Sequence, residues 1–295
     1  MAIFNLGSIN IDLIYKVPHF PTAGETLTTR SFMRALGGKG ANQSIALAAA
    51  GASVFHIGAA NPDDSWLFDE MRASGVDITH VQESGTPTGH AIVSVNDEGE
   101  NQILLHPGAN RAIDIAAANA VLDQGVVGDW VLLQNETNGA LEFVEAAKAR
   151  GLHIAYSAAP FEEAVALALL PHCDLLIVND GEAAALVKAI GAPLENLGLS
   201  HLVITKGAHG ADYMGQYGTY HQPACTVDAI DTTGAGDCFY GYFLAGLAAN
   251  EDISAILHDA SAAAALQVTR SGAAKAIPLR QDVMAFVAAN INDQW

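Results

Sequence analysis

Positive charge is scarce in this chain. Its 13 Lys and Arg face 32 Asp and Glu, a net charge of -19, so neither nucleic acid nor an anionic membrane is expected as a partner. Cysteine is scarcer still. Cys173, Cys225 and Cys238 are odd in number, far apart and without metal-ligand spacing, which excludes a disulfide framework and points to reduced thiols in a cytoplasmic protein. No apolar run approaches the roughly 20 residues of a membrane span. The opening stretch Met1–Gly7 lacks a basic n-region and turns polar at Ser8 and Asn10, so it reads as a first strand rather than a signal peptide. Two phosphate motifs are also missing: there is no Gly-x-x-x-x-Gly-Lys-Ser/Thr loop, and no Gly-x-Gly-x-x-Gly follows the first strand. Repeats, low-complexity linkers and charge runs are absent as well.

What is present is a 295-residue chain with 51% apolar residues, enough for a large core. Residues 2 to 8 read as a buried strand. Residues 13 to 35 mix Pro18, Pro21 and Gly24 with β-formers and suggest short strands of a flap. An Ala-rich helix covers 41 to 50, a strand 53 to 58 and a helix 64 to 74. A hairpin joins 89 to 95 and 101 to 105 around Asn96-Asp97-Glu98-Gly99. Helix and strand then alternate: helices near 114 to 122, 139 to 149, 161 to 168 and 180 to 190, strands at 130 to 134, 153 to 157, 174 to 178 and 201 to 205. A hairpin at 212 to 220 and helices near 235 to 249, 252 to 267 and 282 to 291 follow. Such alternation predicts an α/β fold, a doubly wound and mostly parallel sheet with helices on both faces. We expect one domain over 1–295, with a small β-sheet lid contributed by about 10–35 and 85–106.

Four places carry chemistry. Asp231-Thr232-Thr233-Gly234-Ala235-Gly236-Asp237 runs into an apolar helix; free N–H groups at such a start make a phosphate-sized anion site, with Asp237 in the first turn. A Gly-rich start to a buried helix is the plainer reading. Gly37-Gly38-Lys39-Gly40-Ala41-Asn42 surrounds one lysine with glycine, so a ligand can approach the backbone while Lys39 and Asn42 donate; a tight turn before a helix is the alternative. Asn179 and Glu182 are spaced as a capping pair, and the same groups would also face a Mg²⁺-phosphate at the carboxyl edge of the sheet. Asn10 and Asp12 share a face if the chain is extended there, while Glu136 follows the strand at 130 to 134. Of eleven histidines only His106, before Pro107-Gly108-Ala109-Asn110, stands near a motif, and a packed or surface role is the expectation for each.

Gly7-Ser8-Ile9-Asn10-Ile11-Asp12, Gly37-Gly38-Lys39-Gly40-Ala41-Asn42-Gln43 and Asp231-Thr232-Thr233-Gly234-Ala235-Gly236-Asp237, at these separations, resemble the ribokinase-like (PfkB) carbohydrate kinases over essentially the full length. Thr269-Arg270-Ser271-Gly272-Ala273 and the segment 106–110 bring the chain nearest to the ribokinase group. The resemblance implies transfer of the γ-phosphoryl group of Mg-ATP to the primary hydroxyl of a pentose, most simply D-ribose to ribose 5-phosphate. Another sugar such as a ketohexose, or a nucleoside, is the alternative; retention of Asp237 argues against a non-catalytic sugar-binding protein. It implies Asp237 as the base and the N–H groups of Gly234, Ala235 and Gly236 around the transferring phosphoryl group. Asn10, Asp12, Gly38, Lys39, Asn42 and Glu136 would hold the sugar, Asn179, Thr205 and Gly207 the nucleotide, and Glu182 would lie near Mg²⁺. A K⁺ ion would be held by Asp231 and by Thr233, Gln267, Arg270 and Gly272. The chain departs from the pattern at Ala276, where a serine is usual, and at Ser157-Ala158-Ala159-Pro160, where Asn-Pro-Ala-Pro is usual. A homodimer formed through the lid strands is also implied.

Overall fold

The computed structural model describes residues 1–289. The chain starts with β1 (Ala2–Leu6), β2 (Asn10–Lys16), β3 (Ser31–Gly37), α1 (Lys39–Ala49), β4 (Ser53–Ala60), α2 (Ser65–Ala73) and the short β5 (Val81–Glu83). The hairpin β6 (Gly89–Val95) and β7 (Asn101–His106) follows. Then come α3 (Ile115–Val121), β8 (Trp130–Leu133), α4 (Ala140–Ala149), β9 (His153–Ser157), α5 (Glu163–Leu169), β10 (Leu175–Asn179), α6 (Asp180–Ile190) and β11 (His201–Thr205). A second hairpin, β12 (Ala211–Gly215) and β13 (Gly218–Gln222), precedes α7 (Ala235–Ala248), α8 (Ile253–Val268) and α9 (Arg280–Ala289).

Among the described residues the strands form two sheets. The large one has the order β13-β12-β11-β10-β9-β8-β1-β4-β5, parallel except for the last hairpin. From β1 the chain first builds outward through β4 and β5, then returns to β8 and builds the other way. The order therefore reverses between β1 and β8, and the crevice at the carboxyl ends of those two strands is where an open α/β sheet binds ligands. The small sheet has the order β3-β2-β6-β7.

Parallel strands are covered on both faces, which is why β1, β8, β9 and β10 read as nearly continuous apolar runs. One face packs against α1, α7 and α8, the other against α3 to α6. Helix α7 is buried along almost its whole length, and an added Cβ at Gly241 would lie 2.3 Å from Ala46 Cβ of α1. Small residues thus let these two helices approach closely.

Most element positions follow the sequence pattern, with instructive differences. β1 ends at Leu6 rather than at residue 8, because Gly7 leaves the ladder while its N–H still reaches Ile57 O at 2.9 Å. The flap is built from two seven-residue strands, β2 and β3, not from several short ones. β5 was not expected; at three residues it is too short to show a period. The last helix begins at Arg280, and the end expected at 291 lies outside the described residues.

Candidate active site

At the start of α7, Gly234 takes φ 77, a conformation that favours glycine, and turns the chain into the helix. An added Cβ at Gly236 would meet nothing within 4 Å, so the turn faces open space. Asp237 is only 7% exposed, and both of its oxygens accept side-chain donors from α1: Asn42 Nδ2 at 3.0 Å and Gln43 Nε2 at 2.8 Å. Asn42 Oδ1 is buried without a partner, an acceptor left for a ligand hydroxyl.

Lys39 opens α1 after Gly38, whose φ is 94. The carboxylate of Asp237, then those of Glu136 and Glu182, raise the Lys39 ammonium pKa in spite of burial. One cation thus stands among three anions. Glu136, in the loop after β8, accepts from the Ser8 hydroxyl and from Lys39 N at 3.1 Å; burial raises its pKa against those bonds. Asp12 on β2 is pushed up to about 6, by burial first and by Glu136 second. An added Cβ at Gly37 would lie 2.2 Å from Asp12 Oδ2, so the carboxylate lies against the backbone of the neighbouring strand, as only glycine there allows. Asn10 accepts from Asn110 Nδ2 at 2.7 Å, and Asn110 in turn accepts from Ile9 N at 2.9 Å.

Asn179 and Glu182 form a reciprocal capping box on α6, each backbone N–H held by the other's side chain at 2.9 Å. Burial raises the Glu182 pKa, and its carboxylate still acts electrostatically on Lys39. Capping and a place beside the site coexist. Thr205 ends β11 in register with Asn179, and Gly207 follows it at φ 54 with open space where a Cβ would stand.

Asp231 accepts from Thr233 N at 3.0 Å and Gly272 N at 2.9 Å; burial opposes ionisation, but these donors hold the carboxyl below its usual value. Its own N–H bonds Val268 O at 3.1 Å, which ties this segment to the end of α8. Gln267 is fully buried, donates Nε2 to Thr233 O at 3.0 Å and leaves Oε1 without a partner. Arg270 points its guanidinium at Asp282, 3.4 Å away, so only its backbone is available here. Ala276 is buried and offers no side-chain oxygen. The Asp231 carboxylate, held by the N–H groups of Thr233 and Gly272, and the carbonyls of this segment are hard oxygen donors of the chemistry that a monovalent cation takes. No group of three His, Cys, Asp or Glu side chains arranged for a metal ion occurs among the described residues.

The structure thus brings Asn42, Lys39, Glu136, Asp12 and Asp237 together, with Glu182 in electrostatic range. His106 does not join them: it is exposed, its ring 5.0 Å from that of His90 on the lid. Sequence reasoning gave no role to Ser8, Gln43, Asn110 and Gln134. The available signal was Asn42-Gln43-Ser44, three polar residues in an otherwise Ala-rich helix, all of them buried.

Comparison with known proteins agrees with this geometry. The model of the pfkB family of carbohydrate kinases matches residues 2–280. The chain belongs to that family. The pfkB assignment makes it a phosphotransferase acting on a sugar. The chain is similar to the ribokinase of Haemophilus influenzae, 33% identical over 298 residues, covering 96% of this chain and 97% of that protein. It is also similar to the deoxyribokinase of Salmonella typhi, 29% identical over 309 residues, with 98% and 100% covered. Among solved structures, the Arabidopsis thaliana ribokinase complexed with ribose and ATP superposes with a TM-score of 0.84 at 25% identity, covering 97% of this chain and 98% of that one. No helix among the described residues is long and apolar enough to cross a membrane.

Proposed function

We propose that this pfkB-family enzyme is a ribose kinase that transfers the γ-phosphoryl group of Mg-ATP to O5 of D-ribose. The observation that carries the reading is Asp237, buried in the first turn of α7, bonded to Asn42 and acting electrostatically on Lys39 beside Glu136. Asp12 accepts two neighbouring sugar hydroxyls, and Asn10, Gly38, Lys39, Asn42 and Glu136 complete the sugar shell. Asp237 takes the hydroxyl proton late, its value lying in position rather than basicity. The N–H groups of Gly234, Ala235 and Gly236 meet the charge on the transferring group. Asn179, Thr205 and Gly207 hold the nucleotide, and Glu182 lies near Mg²⁺, which neutralises phosphate charge. K⁺ is held by Asp231 and by carbonyls of Thr233, Gln267, Arg270 and Gly272; the anchoring of Asp231 by the N–H groups of Thr233 and Gly272 supports this, while Ala276 brings no side-chain oxygen. We read the chain as one domain whose four-stranded sheet is a lid, and the exposed apolar lid residues as the surface of a homodimer. The free thiols support a cytoplasmic setting.

A second reading, deoxyribose as acceptor, is favoured by the similarity to a deoxyribokinase. A nucleoside is disfavoured. Phe32 pairs with Tyr15, so it lies on the opposite face of the lid from Asn10 and Asp12, where Ile14, Met33 and Val93 stand. ADP release with Mg-ATP and a panel of ribose, deoxyribose, fructose and adenosine tests the assignment. We expect ribose to have the highest kcat/KM; faster turnover of another acceptor would transfer the assignment to it.

A further inference from the structure

The Asp237 carboxylate is oriented from outside its own helix. Asn42 and Gln43, adjacent on α1, each donate an amide N–H to one of its oxygens. Asn42 keeps an unpartnered Oδ1 for a ligand. Gln43 is fully enclosed and out of reach of any ligand, so its contact with Asp237 serves Asp237 alone.

The Gln43 amide is itself aimed from behind. Its Oε1 accepts from Gln134 Nε2 at 2.7 Å, and that nitrogen also donates to Asn5 Oδ1 at 3.1 Å. Asn5 Nδ2 donates to Gly40 O at 2.9 Å and to Ser44 Oγ at 2.8 Å. Ser44 Oγ meets His56 Nδ1 at 2.8 Å, and His56 Nε2 meets Gly7 O at 3.1 Å. Burial lowers His56 to about 4, so it brings no charge into the chain of amides at neutral pH. With its oxygen committed to Gln134, Gln43 can present only its NH₂ to Asp237, with Ser157 Oγ at 3.4 Å as the second acceptor.

One atom in the chain gains nothing. Gln134 Oε1 is buried and unpartnered. Turning that amide over would aim its oxygen at two other oxygens, those of Gln43 and Asn5, and would be worse. A buried carbonyl without a donor weakens a fold, but an apolar side chain at 134 would instead leave Gln43 Oε1 and Asn5 Oδ1 without their donor. What the amide at 134 does provide is the donor that orients Gln43.

We propose that Gln43 is a positioning residue for phosphoryl transfer, and that the Asn5–Gln134–Gln43 amides aim one Asp237 oxygen at the acceptor hydroxyl. The proposal rests on the reading of Asp237 as the base. Position dominates phosphoryl transfer, and a misplacement of about 1 Å is worth up to roughly 100-fold in rate.

The experiment compares the wild-type enzyme, Q43M, Q134M and D237N in steady-state kinetics, using saturating Mg-ATP and the best acceptor from the panel, together with thermal melting. For Q43M we expect kcat to fall by about one to two powers of ten with sugar KM within about twofold. For Q134M we expect a smaller loss of kcat, read where the variant remains folded, together with a lower melting temperature, because Gln43 Oε1 and Asn5 Oδ1 lose their donor. Wild-type kcat in folded Q43M or in folded Q134M would overturn the proposal. If Q43M fails to fold, the kcat of folded Q134M decides, with sugar KM expected within about twofold. Activity retained in D237N would instead overturn the assignment of the base, and is distinguishable because it leaves the Q43M result without a carboxylate to explain.

Discussion

Three carboxylates, Asp237, Glu136 and Glu182, act on one ammonium group, Lys39, and a fourth, Asp12, lies largely buried within range of Glu136. Asp12 shows the cost of this crowding. Its folded value of about 6 lies above the ordinary 3.8, so the folded chain binds that proton more tightly than the unfolded one. The group therefore opposes folding increasingly as pH rises from about 4 to about 6, and by a constant amount above. Asp12→Asn should raise the melting temperature at pH 7.5, by the equivalent of roughly 2 kcal/mol after allowance for partial exposure, and the gain should vanish near pH 4. The same proton competes with sugar hydroxyls for the carboxylate. Sugar KM is expected to rise as pH falls below about 6 in the wild type, and to be high but flat in Asp12→Asn. Asp237→Asn should lower kcat by about two to four powers of ten while calorimetric sugar affinity stays within a few fold. Normal turnover in that variant would remove Asp237 from the chemistry.

At the scale of elements, the setting of Asp237 depends on how α1 lies against α7, because Asp237 is on one and both of its amide partners are on the other. The closeness rests on small residues: a Cβ at Gly241 would stand 2.3 Å from Ala46 Cβ. Gly241→Ala should destabilise by about 1–3 kcal/mol through overpacking. It should also lower kcat at temperatures where the protein remains folded, since α7 must move away from Asn42 and Gln43. Combining it with Ala46→Gly should recover part of both losses; strict additivity in that double-mutant cycle would show that the helices are not coupled there. The capping box of α6 is separable in the same way. Asn179→Ala should cost about 1 kcal/mol in unfolding free energy, whatever it does to nucleotide affinity.

At the scale of the whole molecule, the reversal of strand order between β1 and β8 places the crevice, and the small sheet made of β3, β2, β6 and β7 carries Asn10 and Asp12. That sheet exposes Met33, Ile103 and Leu105 on one face and Phe32 and Leu104 on the other, with Leu104 68% exposed. So much apolar surface on a chain of net charge -19 is expected to be covered by a second copy. Sedimentation should report a dimer for the wild type and a monomer for Leu104→Glu; a monomeric wild type would leave the lid face without that explanation.

The alternation of strands and helices, the two Gly-rich turns and the acid at the start of α7 were legible in the order of the residues, because they depend on rules that act over a few positions. Period, glycine φ and helix ends are local. Even there the short β5 escaped, and Asn179 with Glu182 left two readings until the capping box was seen. Only the tertiary structure decided which polar groups meet. Asn42 and Gln43 reach Asp237 across 195 and 194 positions, and Asn110 reaches Asn10 across 100. It also turned His106 and Phe32 away from the face that carries Asn10 and Asp12. The physical reason is that sheet order and strand register select those partners, and neither is encoded in any window short enough to be read from local pattern.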